Sequence, residues 1–130
     1  MERKLLQLTV AVAGLVPVIA GGDGMLRGAA AFDLTGDAFA DGHVRYLSGL
    51  LLGIGLAFWA SIPHIERHRA RFLLLTAIVF LGGCGRLFSV VLTGEANGVT
   101  LFALAMELLV TPAICLWQRR LAKRGLAGLD

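Results

Sequence analysis

Charge is what this chain has least of. Only 16% of its 130 residues are Asp, Glu, Lys or Arg and 57% are hydrophobic, whereas a soluble domain carries roughly 25% charged and about 45–50% apolar residues. With a mean hydropathy of +0.78, most of the surface must face lipid. Cysteine is scarce too. Cys84 and Cys115 lie in separate apolar runs at different depths, and no Cys-x-x-Cys pair occurs, which argues against a disulfide and against thiol–disulfide oxidoreductase chemistry. Although glycine is abundant, no Gly-x-x-x-x-Gly-Lys is present, so these glycines are not a phosphate loop. His-Glu-x-x-His is also missing. His64 and His68 share a helical face, but Glu66 falls out of register with them and no further ligand accompanies them, so no metal site is expected and the segment reads as a basic loop touching anionic lipid.

What charge there is has a definite distribution. The net charge is +3 and the isoelectric point near 9.4, but the basic residues cluster at the ends of apolar runs. That is a topological signal, not a nucleic-acid footprint. Four segments meet the length requirement of roughly 17–25 apolar residues for a spanning helix: about 5–20, 44–62, 72–92 and 99–117. The first contains Pro17, which removes a helical hydrogen bond, and is expected to stop at Gly21-Gly22. It reads as a retained span and not as a cleaved signal peptide, because the topology requires it. The connection over 21–43 carries Asp23, Asp33, Asp37 and Asp41 against Arg27 alone. At this length part of it should be ordered, with a short helix over 25–32 and Asp41 capping the second span.

Arg3 and Lys4, then Arg67, Arg69 and Arg71, then Arg119, Arg120, Lys123 and Arg124 fall on one side of a four-span topology. The acidic first loop and Glu95 fall on the other. The positive-inside rule therefore places both termini in the cytoplasm, and Trp59 and Trp117 near the cytoplasmic ends of their spans fit an aromatic belt. The expected protein is all-α: a single four-helix transmembrane bundle over 1–130, multi-pass in a bacterial inner membrane.

Packed faces in lipid reveal themselves as small residues at helical spacing. The second span has Arg45, Gly49, Gly53, Ala57 and Ser61 in one stripe. The third has Val79, Gly82, Arg86, Ser89 and Thr93, and the fourth has Thr100, Ala103, Glu107, Thr111, Cys115 and Gln118. Counted from the turn over 93–98, Arg86 and Glu107 both lie about 10–14 Å deep. A charge at mid-membrane costs roughly 2.5–3.5 kcal/mol on insertion scales, so opposite charges at matching depth on adjacent antiparallel helices should pair. Arg45 either reaches the same level or snorkels outward. These residues outline a polar pocket toward the outer leaflet built from Arg45, Arg86 and Glu107, with Tyr46, Ser89, Thr93 and Asn97 as rim donors and an excess of positive charge suited to an anionic head group.

The order of three motifs carries a resemblance: His43-Val44-Arg45-Tyr46-Leu47-Ser48-Gly49, Leu81-Gly82-Gly83-Cys84-Gly85-Arg86-Leu87 and Ala105-Met106-Glu107-Leu108-Leu109. The chain resembles a bacterial four-span family known as domain of unknown function 4345 and, more remotely, the DoxX-like membrane proteins. The resemblance implies a four-helix inner-membrane bundle and supplies no activity or cofactor. Through the DoxX-like proteins it admits a link to quinone oxidation.

Three functions are compatible with these features. One is a protein binding a lipid, quinone or other amphiphile in the pocket. Another is a membrane enzyme or redox accessory subunit using Glu107 as acid or base, although no second carboxylate or nucleophile triad lies in the spans. The third is a transporter or channel, which at this size would need to be a homo-oligomer assembled through Gly49, Gly53 and Ala57. Membrane lipids are the expected partners in each case.

Overall fold

The computed structural model describes residues 1–34 and 36–127, and every regular element among the described residues is helical. In chain order these are α1 (Glu2–Arg27), a 3-10 turn (Gly28–Phe32), α2 (Ala38–Ser61), α3 (Arg69–Thr93), α4 (Gly98–Ala105), a π-helical turn (Met106–Val110) and α5 (Thr111–Ala127). Four stretches are long and apolar enough to cross a membrane: Glu2–Phe32, Ala38–Ser61, Arg69–Thr93 and Gly98–Arg124. They overlap the four expected spans, the second ending at Ser61 and not at residue 62, and the protein is an all-α, multi-pass membrane protein. The helices fall into two compact units, residues 7–63 and residues 1–6 with 64 onward.

In the first unit α1 and α2 run antiparallel. Trp59 Nε1 donates to Ala11 O at 3.1 Å and Gln7 Nε2 to Ile62 O at 2.8 Å. Two expectations need correction here. The helix does not stop at Gly21-Gly22 but continues to Arg27. Gly21 is a contact point: an added Cβ would lie 2.5 Å from Leu52 N and 2.7 Å from Ser48 O, so its bare Cα lets the two backbones meet. The last turn is then closed by Asp23, which accepts two hydrogen bonds from Arg27 at 2.6 Å, with the cation at the favourable end of the helix dipole. Nor does Asp41 cap the second span. The helix begins at Ala38, and Asp37 is its cap, accepting from Ala40 N at 2.9 Å.

In the second unit α3 lies against α4, the π turn and α5. Phe72, Ile65 and Gln118 are among its fully buried side chains, joined by Leu75, Leu104, Ile114, Cys115 and Ala122. Gly94 ends α3 in the left-handed region, φ +70°, where its N–H reaches Val90 O at 2.8 Å; only glycine adopts this conformation without a Cβ penalty. Asn97 then starts α4 by accepting from Thr100 N at 2.8 Å. At the far end Glu2 accepts from Trp117 Nε1 at 3.2 Å and from Arg124 at 2.9 Å, and Arg3 pairs with Glu66 at 3.5 Å.

The π turn has a specific cause. Pro112 has no N–H, and in a regular α-helix its ring would press on the carbonyl of Leu108. Widening the preceding turn relieves that conflict: the Thr111 N–H bonds to Met106 O, five residues back, and Thr111 Oγ1 donates to the same carbonyl at 2.8 Å. Such a turn inserts one residue into the helical register and rotates what it carries. It carries Glu107.

Candidate functional site

The site grows from three local facts on α3 and its partner helix. Gly83 is buried in α3, and a Cβ there would meet Leu108 Cδ2 at 2.7 Å and Glu107 Cβ at 2.9 Å. Its missing side chain is what admits the π turn. Gly82, expected on the contact face, meets nothing within 4 Å, as does Gly85. One residue on a helix is a rotation of about 100°, so the contact face lies one position further along than the small-residue stripe suggested.

With the π turn seated on Gly83, Glu107 comes level with Arg86. Arg86 Nε donates to Glu107 Oε2 and Nη2 to Oε1, each at 3.1 Å. This two-point fork fixes the planes of both groups and is the strong form of an arginine–carboxylate contact. The side chains are unequally covered: Glu107 is 19% exposed and Arg86 44%. The carboxylate is thus the more covered of the pair, and the half-exposed guanidinium has its Nη1 left outside the fork.

The remaining predicted site residues have other roles or none visible. Asn97 and Thr93 are spent on local structure, the first as the α4 cap and the second donating to Ser89 O at 3.0 Å and accepting from Glu95 N at 3.3 Å. Ser89 is exposed one turn from Arg86. Arg45 and Tyr46 belong to the other unit. Tyr46 is exposed. Arg45 donates from Nε to Asp41 at 2.7 Å and from Nη1 to Met25 O and Leu26 O at 2.9 and 2.8 Å. Asp41 in turn accepts from Ala29 N at 2.9 Å. Together they tie α2 to the end of α1, where helix carbonyls lack intrahelical partners. Sequence reasoning overlooked this role of Asp41, although the Asp41/Arg45 spacing is a readable i,i+4 signal. An open cleft of about 750 Å³ adjoins it, lined by Ala29, Leu34, Gly36, Asp37, Ala38 and Asp41; both carboxylates there are already engaged. Among the described residues no three His, Cys, Asp or Glu side chains gather as a metal site would require, and both cysteines are free.

A family described as "Domain of unknown function (DUF4345)" matches residues 5–118. The chain belongs to this family. The matched region contains all four long helical stretches nearly whole, including Arg86, the π turn and Glu107. No curated protein and no solved structure matches the chain, so function has to be argued from the site itself.

Proposed function

We propose that this DUF4345 protein binds an amphiphile through Arg86, in the outer leaflet of a bacterial inner membrane. The observation that carries this reading is the half-exposed guanidinium, oriented by a forked bond to Glu107 inside helices of membrane-spanning length. A charged group at that depth is expensive to retain, and such residues mark binding or transport sites by default. Because Glu107 balances the charge, and Arg45 has its own carboxylate, the half-exposed guanidinium calls for a hydrogen-bond acceptor and not for a large anionic excess. A lipid phosphodiester oxygen and a quinone carbonyl both qualify, with the apolar tail lying along the helix faces. Both carboxylate oxygens of Glu107 accept from Arg86, so acid–base use would first require breaking the pair; that favours binding over catalysis.

The test is mass spectrometry of what co-purifies with the protein extracted from its native membrane in lipid nanodiscs, for the parent and for Arg86→Gln. The parent should retain a defined lipid or quinone that the variant loses. Identical retained species in both would refute the reading.

A further inference from the structure

Two buried polar atoms in the second unit have no hydrogen-bond partner among the described residues: Thr76 Oγ1 on α3 and Gln118 Oε1 on α5. Thr76 is 7% exposed and Gln118 is wholly buried. The orientation of the Gln118 amide is settled by its other end, because Nε2 donates to Ile65 O at 2.6 Å and a flipped amide would set oxygen against oxygen. Oε1 is therefore an acceptor in want of a donor. Both atoms are buried, so bulk solvent does not reach them to supply one.

The register of the two helices brings these atoms to one level. Gly83 abuts Leu108. Two turns from Gly83 toward the start of α3 lead to Thr76. The same distance from Leu108 into α5, allowing for the residue inserted by the π turn, leads to the level of Leu116, between the buried Cys115 and Gln118. Thr76 and Gln118 are thus within about 3–5 Å along the axis at 1.5 Å per residue, both buried, on two helices that pack against each other. No hydrogen bond joins the two atoms directly. Buried groups in this relation are characteristically joined by one internal water, which needs two or more polar partners.

We propose that α3 and α5 hold a buried water molecule that bridges Thr76 Oγ1 and Gln118 Oε1, beside the Cys115 thiol. The water donates one hydrogen to Gln118 Oε1, which has no other donor, and its second bond goes to the Thr76 hydroxyl. It fastens α3 to α5 at the same place where Gln118 fastens α5 to the backbone at Ile65. The proposal is independent of what Arg86 binds.

The experiment uses the full chain in nanodiscs made from deuterated lipid. Water-selective NMR transfer to the Gln118 side-chain amide is measured together with thermal unfolding, for the parent, Thr76→Val and Thr76→Ser. In the parent, a long-lived water should give a cross-peak at the Gln118 amide. Thr76→Ser should keep it, and Thr76→Val should lose it and unfold at a lower temperature. No water cross-peak in the parent would overturn the proposal. So would a cross-peak unchanged in Thr76→Val, or a Thr76→Val variant that unfolds at or above the parent's temperature, the result expected when an isolated hydroxyl is removed. Should Thr76→Val not fold, the parent and Thr76→Ser spectra decide.

Discussion

Gly82, Gly83 and Gly85 share one turn of α3, yet replacing each by alanine should have opposite consequences. In a helix interior alanine is favoured over glycine by about 0.8–1.0 kcal/mol. At Gly82 and Gly85 the new methyl meets open space, so this propensity gain is the whole effect and both variants should be more stable than the parent. At Gly83 the methyl would lie 2.7 Å from Leu108 Cδ2 and 2.9 Å from Glu107 Cβ. Leu108 can rotate its terminal methyl aside. Glu107 Cβ cannot move without the backbone of the π turn, so the turn must retreat from α3. Overpacking of this kind costs typically about 1–3 kcal/mol, which leaves Gly83→Ala less stable than Gly82→Ala by about that amount. Retreat of the turn also draws Glu107 away from Arg86, whose 3.1 Å bonds have little slack. The assay is equilibrium unfolding by denaturing detergent in mixed micelles, with all three variants measured side by side. If Gly83→Ala proved as stable as Gly82→Ala, the close approach of α3 to the π turn, and with it the account of how Glu107 is positioned, would be wrong.

Removing one member of the fork strands the other, so Glu107→Gln and Arg86→Gln should each lower stability by about 1–3 kcal/mol, less than the 3–5 kcal/mol seen for fully buried pairs because Arg86 is partly exposed. The double variant should recover part of the loss in a double-mutant cycle, and Arg69→Gln should change neither stability nor bound lipid. Asp41→Asn breaks the contacts to Arg45 and weakens that to Ala29 N; it should lower the unfolding temperature and speed amide exchange in the 3-10 turn, whereas exchange around Arg86 stays as in the parent. Pro112→Ala restores the missing N–H and should let the helix revert to regular α geometry, rotating Glu107 off Arg86; site-specific chemical shifts at Glu107 and Arg86 would move together, and unchanged shifts would show that the proline does not cause the π turn.

Much of the hairpin was legible because lipid leaves so few options for charge. Arg86 and Glu107 each interrupt a long apolar run, and equal spacing from a recognisable turn was enough to set them opposite each other. The shortfalls have physical causes. Gly21-Gly22 resembles a helix stop, and what keeps α1 helical there is the approach of Ser48 and Leu52, distant in sequence. Asp37 and Asp41 both precede the apolar run of α2, and the sequence favours the nearer one as cap because Ala38, Phe39 and Ala40 between them are too few to show a helical period. Pro112 signals a disturbed helix without saying whether the chain kinks or widens. The outcome, one residue inserted into the register, is also why the contact glycine is Gly83 and not Gly82.

The two arginines near helix ends and interiors show how a structural pair differs from a candidate site. Arg45 is bonded to a carboxylate one turn away on its own helix and spends its remaining donors on the carbonyls of Met25 and Leu26, so each hydrogen bond closes the chain on itself and little is left to offer. Arg86 reaches a carboxylate on another helix and, among the described residues, has no hydrogen bond to backbone. Keeping that arrangement requires a glycine at Gly83 and a departure from regular helix geometry at the residue's partner, a local conflict of the kind that proteins tolerate mainly where function demands it. A pair wanted only for register could sit on two regular helices. The irregular turn under Glu107, and the half-exposed guanidinium with Nη1 outside the fork, are what make this pair the place to look for a ligand.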